Sequence, residues 1–405
     1  MSLDFSAASA ALKDHYQPAI RSQINHQIML LQQIETDTKS VEGEEAVISL
    51  HTGRNSGVGA RAESGTLPVA GRQGYTKARI PVKYNYGRIQ VTGPIIEGMK
   101  SNTGSFTRAV DSESEGIVND LKVDVNRQCY TTSQGFIATA VTVSTGASGT
   151  ITFATEAEAR RLEVGMLVDI YDGDFLADDT AVTVTGVSVS TKTVTFDALA
   201  AAVDAGDWVV RAGVVPSAVS SKATEDAQYE IHGLDDIVSN TGWLHGINGA
   251  TATIWQSYVS AVGAVPTDSV FEVALDEISQ TAGEDADLII TSFAGSRAYA
   301  NTLKTQKRFP NSCDLKGGFK GISVSTPRGE VALWSERHCL DSVAYIVNTS
   351  HLTQWVMSDW SFMDRDGAVL NRVGNTDAYE ATLYKYHEVG TDRRNAHGKL
   401  TGLTV

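Results

Sequence analysis

Cysteine is nearly absent from this 405-residue chain: Cys129, Cys313 and Cys339 stand far apart. Three scattered thiols build no disulfide framework and fit no metal-ligand spacing, which points to a reducing cytoplasm. Long apolar runs are missing too. None approaches the ~18 residues needed to cross a bilayer. The first eleven residues lack the basic start and apolar centre of a signal peptide, and Lys13, Asp14 and His15 follow closely. Positive charge is in deficit, with 33 Lys and Arg against 48 Asp and Glu, a net charge of −15. Such a chain is unsuited to gripping a phosphate backbone, although enclosing nucleic acid requires no grip.

Catalytic and metal signatures are lacking as well. The nine histidines form no His-Glu-x-x-His or paired cluster, and there is no Gly-x-Ser-x-Gly elbow, Walker loop or dinucleotide fingerprint. Asp169, Asp172, Asp174, Asp178 and Asp179 crowd one stretch. A calcium loop starting at Asp172 would need Glu at its twelfth position, where Thr183 stands. Acidic turn residues explain the cluster better. No metal, cofactor or enzymatic activity is expected.

What is present is an ordinary folded composition, 42% apolar and 20% charged, long enough for two or three domains. Thirty-six Gly against eight Pro favour strands and turns. The chain is organised around residues 44–135, where a basic hairpin, Val47 to Ile96, runs into an amphipathic helix from Ser105 to about Tyr130. The hairpin carries Arg54, Arg61, Arg72, Lys77, Arg79, Lys83 and Arg88 against one acid, Glu63, seven minus one, +6. Its outer part, Thr52 to Gly71, is rich in Gly and small residues and cannot bury enough apolar surface to hold itself on its own domain. Ile80, Val82, Tyr84 and Tyr86 alternate with polar neighbours, which makes the tyrosines core or interface residues. The phase then slips to Ile89 and Val91, predicting a bulge at Gly87, and Pro81 marks an edge strand. The helix has an apolar stripe of Phe106, Val110, Ile117, Leu121 and Val125, and an acidic remainder of Asp111, Glu113, Glu115, Asp120 and Asp124. A hairpin that extends away cannot fold back onto the helix that follows it. The expectation is that the finger of one copy lies on the helix of another.

Residues 3–40 read as a helical arm with a stripe of Leu12, Tyr16, Ile20, Ile24, Ile28 and Leu31, interrupted at Pro18. Residues 138–213 read as a small antiparallel β-barrel inserted into a host fold, with 11 acids against 4 bases. Its strands are expected at Ala140–Ser144, Thr150–Ala154, Leu167–Tyr171, Ala181–Val189, Thr193–Asp197 and Trp208–Ala212. A mixed α/β stretch follows. Thr267 or Asp268 caps a helix to Gln280, Leu288–Thr291 is a strand, Ser292 caps a helix to Leu303, and strands lie near Gly321–Ser325, Val331–Ser335 and Val343–Val347. Strands at Gln354–Met363, Ala378–Glu388 and Leu400–Val405 close the chain. Arg393, Arg394, His397 and Lys399 are either a contact for DNA or an acidic neighbour, or a solvated turn.

This order of parts resembles the tailed-bacteriophage major capsid protein of the Hong Kong 97-type fold. The resemblance spans nearly the whole chain and rests on architecture rather than on an invariant motif. Its pieces are an N-terminal arm (1–44), an extended E-loop (45–97), a spine helix with peripheral domain (98–137), an inserted β domain (138–213), a peripheral connection (214–265), an axial domain (266–352) and closing strands (353–405). The resemblance implies an α+β capsid fold without enzymatic activity. It implies pentamers and hexamers of one chain, enclosing double-stranded DNA without sequence specificity, in a virion assembled in the host cytoplasm. A portal protein and a decoration protein are implied partners, and so is a separate scaffolding protein, because only the arm precedes the E-loop. Some members weld neighbours by an isopeptide bond from an E-loop Lys; here Arg54 to Gly71 contains none, so no such bond is expected. The alternative within the fold is an encapsulin-type nanocompartment. Outside it stands a β-rich hydrolase or carbohydrate-binding protein with 138–213 as an accessory module.

Overall fold

The computed structural model describes residues 28–94, 103–142, 144–146, 149–305, 312–314, 320–327, 329–364, 369–374 and 376–405. The stripe residues Leu12, Tyr16, Ile20 and Ile24 of the expected arm lie outside them. From Ile28 the chain enters the main core through a short helix, Met29–Gln33, whose apolar side chains are buried.

A five-stranded sheet forms around the long strand Ala378–Thr391, with Leu352–Phe362 on one side and Lys83–Thr92 on the other. Lys83–Thr92 pairs without a register break from His387↔Lys83 to Ala378↔Thr92, so the bulge expected at Gly87 is not there. The phase slips at Val82 instead. Ala78, Ile80 and then Lys83, Ile89 and Val91 are buried, because the chain leaves the hairpin at Pro81 and re-enters in a different sheet. Gly87 serves another purpose: a Cβ there would come within 2.6 Å of Leu121 Cδ1 and 3.0 Å of Ile117 Cδ1. The bare backbone lets the long helix, Thr103–Gln128, settle on the strand.

That helix runs about 39 Å at 1.5 Å per residue. Val118, Leu121 and Val125 are buried and Ile117 is half-buried; the side chains of Phe106 and Val110 lie outside the described residues. Its C-terminal end is clamped by Gly233. Leu234 N–H donates to the Cys129 carbonyl (2.8 Å), and any Cβ on Gly233 would collide with the carbonyl oxygens of Gln128 and Thr131.

A seven-stranded sheet has the order Tyr258–Ala261, Gly398–Thr401, Ala344–Val347, Leu288–Thr291, Gly329–Ser335, Lys320–Thr326, Ser312–Asp314. Helices Asp268–Ala282 and Phe293–Thr305 accompany it, with their start signals as the sequence predicts: Thr267 Oγ1 accepts from Val270 N–H (3.4 Å) and Ser292 Oγ from Gly295 N–H (3.1 Å). The strand Tyr258–Ala261 is unforeseen. It pairs in parallel with the end of the chain, a partner no local pattern reveals.

Between the helix and residue 212 lies a six-stranded antiparallel sheet: Phe136–Thr139, Trp208–Arg211, Leu167–Tyr171, Ala177–Ser188, Thr193–Phe196, Thr150–Thr152. An Ala140–Phe153 bridge joins the first strand to the last. Ile137, Phe153, Ile170, Val182, Phe196 and Val209 form a hydrophobic cluster separate from the main core. Of the strand expected at Ala140–Ser144 only Ser144 is in one, Ser144–Gly146, which pairs with an unforeseen strand, Leu199–Val203, while Phe136–Thr139 ends before it. Of the aspartates expected in turns, Asp172 and Asp174 are in one, whereas Asp169, Asp178 and Asp179 lie within strands. Asp169 accepts from Ala181 and Gly213 N–H (2.6 and 2.8 Å), Asp172 from Asp174 and Leu176 N–H (2.9 and 2.8 Å), and Asp179 from Ala200 and Ala201 N–H (2.9 and 3.2 Å). Among the described residues no group of His, Cys, Asp and Glu could hold a metal ion. None of their helices is long and apolar enough to cross a membrane.

Candidate inter-subunit surface

The hairpin is built from Glu45–Gly53 and Gly74–Pro81, paired from Glu45↔Pro81 to Gly53↔Gly74, with Val41–Glu42 as a third strand. Its base is anchored: Ala46 and Ile80 pack on buried Trp355, and Arg79 N–H donates to the His245 carbonyl (2.9 Å). Beyond Gly53 and Gly74 the loop has no core. Leu67 is 80% exposed and Val69 86%, and the loop is held by its own polar bonds. Asn55 Nδ2 donates to the Gly71 carbonyl (3.1 Å), Asn55 N–H to Gln73 Oε1 (3.1 Å) and Arg61 Nε to the Thr66 carbonyl (3.0 Å). Leu67 and Val69 are surface features that the charge pattern overlooks; the available signal is two branched apolar residues in a run of small ones.

The charged residues expected at the contact separate into two groups. Arg54, Arg61, Arg72 and Lys77 are exposed, and among the described residues none is within ion-pair distance of a carboxylate. Glu113, Glu115 and Asp120 on the helix are likewise exposed, whereas the side chain of Asp111 lies outside the described residues. The others are engaged within the chain. Arg79 pairs with Glu45, and Arg88 lies 3.4 Å from Glu380. Asp124 accepts from Arg127 Nη2 (3.0 Å) and Gln128 Nε2 (2.9 Å) and sits 3.8 Å from Arg211. Burial works against its charge, but Arg127 and Arg211 hold its pKa below the ordinary value. Arg127 is itself clamped by Glu230, with Nη1 donating to Oε2 at 3.0 Å.

Lys83 departs furthest from the sequence reading. It is 3% exposed, and its ammonium donates to the carbonyls of Glu225 (3.3 Å), Asp226 (3.0 Å) and Gln228 (2.6 Å). Burial depresses its pKa, opposed by the Glu388, Asp226 and Glu225 carboxylates. It caps the end of the short helix Lys222–Asp226 and offers nothing to a neighbour. The tyrosines are displaced in the opposite sense. Tyr84 and Tyr86 are exposed and meet Tyr386 edge-on, with centroids 5.0 and 5.9 Å apart.

The C-terminal basic run is engaged within the chain rather than solvated. Arg394 is 1% exposed and donates to the carbonyls of Ile237 (3.0 Å), Asp236 (2.8 Å) and Thr241 (3.0 Å). His397 is buried between Asn348 N–H (3.3 Å) and Thr391 Oγ1 (2.9 Å). Lys399 pairs with Asp235 and Arg393 with Glu284.

No protein-family model matches the chain, and comparison with curated protein sequences finds no match. Solved structures do match. The subunit from the cyanophage A-1(L) capsid superposes with a TM-score of 0.54 at 13% identity, over 93% of this chain and 92% of that one. The capsid of an empty GTA particle is similar at TM-score 0.48 and 7% identity, over 93% and 90%. An encapsulin from Synechococcus elongatus is similar at 0.44 and 9%, over 92% and 86%. The likeness to the cyanophage subunit, over 93% of this chain, gives it the α+β, Hong Kong 97-type fold of tailed-phage capsid proteins.

Proposed function

We propose that this chain is the major capsid protein of a tailed phage, closing as pentamers and hexamers into an icosahedral head around double-stranded DNA. The observation that carries the reading is the likeness to the cyanophage capsid subunit, which extends along 93% of the chain. In this reading the exposed cations of one copy's finger, Arg54, Arg61, Arg72 and Lys77, lie on an acidic face of the next copy that includes Glu113, Glu115 and Asp120. Each exposed pair contributes little, ~0–1 kcal/mol, so cohesion comes from repetition around a closed lattice and from buried apolar faces. The net charge of −15 suits a wall that encloses DNA without gripping it. Residues 138–213 are a barrel inserted between the spine helix and the connection that follows it. Scaffolding, portal and decoration proteins are the remaining partners of this assembly.

The experiment is charge reversal at the finger. The double variant Arg72→Glu/Lys77→Glu is expected to keep the wild-type circular dichroism spectrum and melting profile while yielding no closed particles by negative-stain microscopy. Normal particles from that variant would remove the finger from the mechanism. Wild-type shells that form without DNA and load a protein cargo would move the reading to a nanocompartment.

A further inference from the structure

One end of the six-stranded sheet carries three stacked rings. Trp208 lies against Phe136, with centroids 4.6 Å apart and planes at 26°, and against Phe175, at 4.8 Å and 41°. All three are half-buried, and the adjoining Leu176 is 66% exposed. Phe175 sits in a left-handed conformation (φ 65°) that a bulky side chain rarely adopts. The turn holding it is closed by Asp172, which accepts from the N–H groups of Asp174 and Leu176.

Carboxylates adjoin these rings in the chain. Asp172 and Asp174 belong to the Phe175 turn, and Asp207 precedes Trp208, with Oδ2 accepting from Asp204 N–H (2.5 Å). Asp178 is held above the usual carboxylate range by burial and by the charges of Asp207, Asp172, Asp179 and Asp204, so the group is crowded in space. Among the described residues none of Asp172, Asp174, Asp178, Asp204 and Asp207 has an ion-pair partner. Aromatic faces carry negative quadrupole, and guanidinium stacks on them while bonding carboxylates. The chemistry this surface accepts is an arginine-rich, partly apolar segment.

The same chain contains one. Arg54, Arg61 and Arg72 lie in the outer loop of the finger, without carboxylate partners among the described residues, beside exposed Leu67 and Val69. The finger's paired strands reach about 26 Å from the anchored base before the loop begins. The long helix ends at Gln128 and the sheet opens at Phe136. Arg211, in the same strand as Trp208, lies 3.8 Å from Asp124 on the helix. The strand that carries Trp208 therefore runs from the aromatic rim to the long helix.

We propose that the Phe136–Phe175–Trp208 rim and its carboxylates are a docking surface for the arginine tip of the finger of a second copy of this chain. Lys77, near the finger's base, meets the helix, and the tip meets the rim. The inference rests on the capsid reading and assigns to the inserted sheet a share of the contact that the fold alone leaves to the helix.

A charge exchange in the full-length chain tests it. Asp174→Lys/Asp204→Lys changes two exposed turn residues, and Arg54→Glu/Arg72→Glu changes two exposed finger residues. Each pair is expected to lower particle yield at least about tenfold, and all four together to restore it to within about twofold. Assembly of the Asp174/Asp204 pair at wild-type yield, with the finger pair still defective, would overturn the docking and leave the helix contact standing. Two defective pairs without mutual rescue would show that the rim serves some other partner. Failure of the wild-type chain to form particles removes the capsid reading and this inference together. As a second measurement, Arg72→Cys with Asp174→Cys, treated with a bismaleimide in assembled particles, should give a ladder of covalent oligomers that neither single variant gives. Cys129 and Cys339 are buried, and these variants are made in a Cys313→Ser background, which removes the third thiol of the chain. Intact particles without a ladder would also overturn the proposal.

Discussion

Lys83 shows how little a residue's type says about where its charge will be needed. Its ammonium donates to three carbonyls, those of Glu225, Asp226 and Gln228, where a short helix ends. Lys83→Met keeps the volume and removes the donors, and should lower stability by roughly 2–4 kcal/mol in urea unfolding. An unmoved midpoint would mean that those carbonyls are satisfied some other way. Histidines set the response to acid. Burial, aided by Arg161 and Arg337 for His338 and by His351 and Arg394 for His397, pushes both rings down to about 3. His245 and His387 are depressed in the same sense by burial. Below about pH 6.5 the unfolded chain takes up protons on these rings while the folded chain does not, so each one withdraws stability as pH falls. His232 runs the other way. Burial opposes its charge, but Glu388 holds its pKa above the usual value, and its contribution is lost as pH rises through that raised value. A His397→Gln variant isolates one such group. Between pH 7 and 5 it should lose about 2 kcal/mol less stability than the wild type, read from urea midpoints at the two pH values, and equal losses would contradict a neutral buried His397.

At the scale of elements, two glycines set how closely backbones approach. Gly233 faces the rigid carbonyls of Gln128 and Thr131, whereas Gly87 faces the movable end of the Leu121 side chain. Gly233→Ala should therefore cost roughly 3 kcal/mol or prevent folding, and Gly87→Ala about 1 kcal/mol. The reverse ranking in thermal melts would place the tight contact elsewhere. The same scale shows where sequence reading held and where it failed. Leu288–Thr291 and Leu167–Tyr171 have the predicted bounds, because each is a short apolar run punctuated by turn residues. Lys83–Thr92 was legible as a strand but not as a member of a different sheet: alternation continues through Val82 while the partner changes from Glu45–Gly53 to Ala378–Thr391. Tyr258–Ala261 carried no signal of its own, since its partner is the end of the chain.

At the scale of the whole molecule the governing fact is separation of charge. An acidic chain holds an exposed basic finger whose outer cations meet no carboxylate among the described residues. If neighbouring copies satisfy them, particle yield should fall as NaCl rises and the screening length shrinks from about 10 Å at 0.1 M to about 3 Å at 1 M. A yield indifferent to salt would assign cohesion to apolar contacts alone. The charged candidate surface was only partly legible in advance. The exposed arginines and helix acids follow from composition, yet Lys83, Asp124 and Arg394 were claimed by internal partners, and the rings around Trp208 come together from strands that local periodicity does not pair.

The succession of hairpin, long helix, β module and mixed α/β unit is determined by the sequence itself, because caps, stripes and alternation are relations among residues a few positions apart. Which strands pair and which charges are buried is decided only by the tertiary structure. Lys83 caps a carbonyl 142 residues away, and Arg394 reaches one at 157. Over such separations no period of two or 3.6 carries information, and only the packed core brings the partners together.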